Sequence, residues 1–83
     1  MLVSKRIELN EQLAVIYREN RIRLEEKGEI VRQCRAAYKE AEAKGKPTEA
    51  LGYKLAEAKR AYTAAMQDGV RRALSFKREH KYD

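Results

Sequence analysis

Apolar residues in the first half of the chain recur three and four positions apart. Advancing ~100° per residue, Leu9, Leu13, Ile16, Tyr17 and Leu24 fall on one side. Further on, the stripe is Ile30, Val31, Cys34, Tyr38 and Ala41, rotated backwards relative to the first. A seven-residue repeat drifts ~20° per heptad on a straight helix, and the accumulated rotation is of that size. The pattern predicts one helix over residues ~4–44 with a left-handed supercoiling seam.

A second stripe, Leu51, Leu55, Ala58, Tyr62, Ala65, Met66, Val70, Ala73 and Phe76, predicts a helix over ~48–78. Between the two lies "GKPT", residues 45 to 48. Gly45 suits a helix stop, Pro47 a first-turn position and Thr48 an N-cap. So short a connection makes the helices antiparallel neighbours. Folding about residue 46 sets Ala41 against Leu51, Cys34 against Ala58, Val31 against Tyr62 and Leu24 against Gly69, with Ile16 near Phe76. The expected fold is all-α: a two-helix hairpin with a coiled-coil-like seam, completed by self-association or a partner. Residues 79–83 read as a frayed basic tail.

One stretch weakens this reading. In "RENRIRLEEKGE", residues 18 to 29, Asn20 and Lys27 interrupt the seam, and Gly28 follows a lysine as C-cap glycines do. A three-helix bundle broken at Gly28 is the alternative. Against it, no Ser, Thr, Asp or Asn stands at the restart to cap a new helix. Asp68-Gly69 is a second candidate break, but the stripe continues across it. The near-repeat of "YKEAEAK" (38 to 44) and "YKLAEAK" (53 to 59) is compositional. The first copy turns Tyr38 inward and Glu40 outward, while the second turns Leu55 inward and Tyr53 outward.

Composition agrees with helices. The chain has 83 residues, 39% of them charged, with one proline and four glycines. Few β-branched residues argue against sheet. A chain this short is one domain at most and builds only a thin core. The net charge is +6, with the larger excess in residues 45–83, which carry nine basic and five acidic groups. This is a mild bias for a nucleic-acid binder. "LAVIY", residues 13 to 17, is far shorter than the ~20 apolar residues that span a bilayer, and "MLVSKRIELN" has no signal-peptide core. No membrane association is expected. Cys34 is the single cysteine, which fits a reducing cytoplasmic setting.

Groups able to converge on catalysis are scarce. His80, the only histidine, falls in the expected tail, and Cys34 sits on the inner stripe with no histidine near it. No Cys-x-x-Cys, His-x-x-x-His or Glu-x-x-His spacing marks a metal site, and no glycine-rich loop marks a phosphate site. The chain is expected to be no enzyme and to take no cofactor, metal or small-molecule substrate.

Surfaces carry the remaining signal. Tyr53, Arg60, Gln67, Arg71 and Arg78 fall near one line on the outer side of the second helix, where arginines can grip phosphates and a tyrosine can stack. The tail "SFKREHKYD" is basic and holds Phe76 and Tyr82. Arg21, Arg32, Arg35 and Lys39, interleaved with glutamates, read as solvent face. Val15 and Ile22, seven apart, point almost opposite to the main stripe, and two β-branched apolar residues there ask for a second contact surface. The expected function is non-catalytic, stoichiometric contact with a larger protein or nucleoprotein assembly, as an adaptor, chaperone or inhibitor. The alternative is a homodimeric helical bundle that binds RNA or DNA through paired arginine rows. A polymerising structural subunit is a third possibility.

Overall fold

The computed structural model describes residues 3–80, with side chains from Lys5 onward. Two helices, α1 (Val3–Ala43) and α2 (Glu49–Glu79), pack against each other as an antiparallel hairpin. The helix α1 is continuous through Gly28, and α2 through Asp68-Gly69. The three-helix alternative is thereby excluded. The hairpin measures 65 × 16 × 12 Å. Its radius of gyration is 18.9 Å, against about 12 Å for a compact domain of this length.

The stop after α1 is a Schellman motif. Gly45 takes a positive φ of 69°, the Gly45 N–H donates to the Glu42 carbonyl, and the Lys46 N–H donates to the Ala41 carbonyl. Pro47 does not open α2 as the sequence reading expected. It precedes the N-cap, where its ring prevents the first helix from continuing. Thr48 is the N-cap residue, but its side chain makes no capping bond. The Thr48 carbonyl accepts from the Gly52 N–H and so begins the helical ladder.

Three glycines explain how the helices fit. A Cβ on Gly28 would lie 3.5 Å from Cε2 of Tyr62, and one on Gly52 would lie 3.5 Å from Cε2 of Tyr38. At Gly69 it would meet Asn20 Cγ at 3.0 Å. Each glycine is thus a hole that takes a side chain of the facing helix, which explains why Gly28 sits within a helix instead of ending one. The expected register needs correction accordingly. The side chain nearest Gly69 is Asn20, where Leu24 was expected, and Tyr62 lies against Gly28 while bordering one groove with Val31. Ile16 and Phe76 do border one groove together.

Polar groups bridge the same level of the hairpin. The Asn20 amide donates to the Gly69 carbonyl at 3.0 Å, and Asn20 Oδ1 is buried with no hydrogen-bond partner among the described residues. Arg23 and Arg72 both reach Oδ2 of Asp68, at 3.0 and 3.1 Å. These groups remain partly exposed, so the interhelical pair contributes at most ~1 kcal/mol.

Among the described residues the buried apolar core is small: Leu9, Leu13, Ala41, Ala58 and Ala73. Several residues assigned to the inner stripe lie at its margins. Tyr17, Ile30, Met66 and Val70 are all exposed, Val70 by 56%. Two helices cover only a narrow strip of one another, so a residue a little off the seam keeps one side in water.

Candidate interaction surfaces

The outward assignment of Val15 and Ile22 follows from the continuity of α1. They lie two turns apart on the side away from α2, 45% and 47% exposed. The positions expected to form a basic face, Tyr53, Arg60, Gln67, Arg71 and Arg78, are all exposed, and Tyr53 at 71% is the most exposed of the large apolar or aromatic residues. None of the three arginines has an acidic group at ion-pair distance among the described residues. The row is not uniform, however. Arg71 also borders the groove between the helices that holds Ile16, Glu19 and Phe76.

The expected solvent row is exposed at Arg21, Arg32, Arg35 and Lys39. In it, Nε and Nη2 of Arg32 both donate to Oε2 of Glu29, at 3.0 and 2.6 Å. His80 differs from a solvated tail residue. Its ring lies against Phe76 with centroids 4.4 Å apart, and the His80 backbone N–H donates to the Phe76 carbonyl at 3.2 Å. Glu79 still belongs to α2, while Tyr82 and the rest of the expected tail lie outside the described residues. Cys34 is half-buried beside Leu51 and Lys54. No cluster of three metal-ligating side chains occurs among the described residues, and no helix there is long and apolar enough to cross a membrane.

Two features escaped the sequence reading. One is a shallow groove where Arg32, Arg35 and Lys59 surround Tyr62 and Thr63. Its residues come from both helices, so only the pairing of Tyr62 with Gly28 assembles it. The other is the row Met66, Val70 and Leu74, which leaves the seam obliquely and is exposed throughout. Its four-residue spacing was visible in the sequence, but Met66 and Val70 were absorbed into the inner stripe.

Compared with family models, with curated proteins and with solved structures, the chain matches none significantly.

Proposed function

We propose that this chain is a non-catalytic helical binding protein that acts by stoichiometric contact with a larger protein or nucleoprotein assembly, as an adaptor, chaperone or inhibitor. One observation carries the reading: among the described residues, the hairpin buries few apolar side chains and leaves nine large ones exposed. The chain exposes 6585 Å², whereas a compact monomer of 9.7 kDa exposes about 5,100 Å². The difference exceeds the ~800 Å² that each partner contributes to a standard interface. Val15 and Ile22 belong to this surplus and contribute little to the hairpin itself.

The test is Ile22→Glu. Helix content should stay nearly unchanged, while retention of a partner in a nuclease-treated pull-down should be lost. Burying a carboxylate unpaired in an apolar interface costs several kcal/mol, on the order of the penalty for a desolvated charge. Unchanged mass, stability and partner retention would make Ile22 an ordinary exposed side chain.

The exposed, unpaired arginines in line with Tyr53 along α2 favour a second reading, a homodimeric bundle that binds RNA or DNA. Its affinity should fall steeply with salt as counterions are released. Neutralising Arg60, Arg71 and Arg78 together should weaken binding to every sequence and flatten that salt slope. Absence of binding to single- or double-stranded RNA or DNA at low salt removes this reading.

A further inference from the structure

The oblique row on α2 forms an apolar ridge that the seam does not use. Met66, Val70 and Leu74 are 44%, 56% and 47% exposed. Tyr17 of α1, also exposed, stands on the same flank. It borders a groove with Gly28 and Tyr62, and Tyr62 borders the adjoining groove with Thr63. Met66 and Val70 follow Thr63 by three and seven residues and so share its face. The Asn20–Gly69 hydrogen bond sets Tyr17 and Val70 at the same height, each within a turn of a bonded residue.

Charge around this ridge is mostly basic, although Glu25 lines the groove that Tyr17 borders with Gly28 and Tyr62. The residues three and four positions either side of Tyr17, Met66, Val70 and Leu74 include no acid, although the chain holds thirteen acidic residues. They include Arg21, Lys77 and Arg78, and also Arg71, whose side chain borders the groove with Ile16, Glu19 and Phe76 instead. None of these four pairs with an acid among the described residues.

From this we infer that the flank receives an acidic amphipathic helix of a partner protein. A row at four-residue spacing is the ridge that inserts into the groove of a crossing helix. Met66 to Leu74 spans ~12 Å, about the footprint of one helix lying across another. Acidic side chains beside the occupant's apolar stripe would meet the cations at the rim. A second copy fits worse, because two-fold symmetry would set the same cations against themselves. A lipid surface calls for an apolar stripe along most of a helix, and this ridge occupies about two turns of α2. Nucleic acid would leave Met66, Val70 and Leu74 without apolar partners. The inference rests on the binding-protein reading and specifies the chemistry of the partner.

The test is selection from a displayed library of leucine-striped peptides of about 18 residues, long enough for helix formation, with charges randomised beside the stripe. The full-length chain serves as bait. Enriched peptides should be acidic. Leu74→Glu and Lys77→Glu should each weaken their binding by about tenfold or more, with helix content retained by circular dichroism, while Ile22→Glu leaves affinity unchanged. Enrichment of basic or neutral peptides, no enrichment, or affinity indifferent to Leu74→Glu overturns the inference. So does a dimer that Leu74→Glu converts to monomer. If Leu74→Glu retains a lysate partner that Ile22→Glu loses, the acidic-helix inference fails while the binding-protein reading stands.

Discussion

Among single residues, the glycines separate by what faces them. At Gly28 and Gly52 an added Cβ would make an ordinary contact with a tyrosine ring at 3.5 Å. Removing the backbone freedom of a mid-helix glycine gains up to ~1 kcal/mol, so Gly28→Ala, and to a smaller extent Gly52→Ala in the first turn of α2, should raise the melting temperature. At Gly69 the same methyl would press on Asn20 at 3.0 Å and disturb its hydrogen bond. Gly45 holds a positive φ that alanine adopts only with strain. Gly69→Ala and Gly45→Ala should therefore give none of that gain, and each should cost about 1 kcal/mol. Thermal melts of the four variants check this; a uniform gain would mean that the helices do not meet at Asn20 and Gly69. Locally, Gly28 after Lys27 resembles a helix stop, and only the missing cap at a restart spoke against one. Its role depends on Tyr62, thirty-four residues away.

For the helices as elements, the faces are the testable content. Leu55 is half-buried on the seam and Tyr53 is exposed. Leu55→Asp loses apolar burial and brings in a carboxylate with no evident partner, a cost of about 2 kcal/mol or more. Tyr53→Asp should change stability by at most ~0.5 kcal/mol. Urea titrations followed by circular dichroism compare the two, and equal effects would reject the assignment of faces. Helical periodicity made both assignments legible, because a 3.6-residue repeat fixes which residues share a side. It did not reveal how wide the covered strip is. Met66 and Val70 lie ~50–90° from the seam centre, and only the partner helix determines that this is outside. Asn20 shows a similar limit. A polar residue in an apolar stripe looks like an interruption, yet here it binds across the seam at a point where it can specify register at some cost in stability.

As a whole molecule, the hairpin is long and thin. Two packed helices with so little buried apolar surface should unfold with a small denaturant dependence. For the isolated monomer we expect a urea m value at or below ~1 kcal/mol/M, the low end for small proteins. The midpoint should not depend on protein concentration. A larger m value, with a midpoint that rises with concentration, would assign the exposed flanks to a second copy and favour the homodimer. Adding the true partner should raise the midpoint by mass action, since only the folded hairpin presents both the outer face and the oblique ridge.

Local information in the sequence was enough for the two helices, the turn at Gly45, and the exposure of Val15, Ile22 and the arginine row. Those features depend on near-neighbour spacing and backbone chemistry, which a linear string records directly. Tertiary structure decided which residue meets which across the seam. The tyrosines found glycine holes, Asn20 took the place expected of Leu24, and Met66, Val70 and Leu74 were left as a ridge beside Tyr17. The physical reason is that burial belongs to pairs of surfaces. A helix specifies its own faces, but how much of each face is covered depends on the size and shape of the side chains opposite.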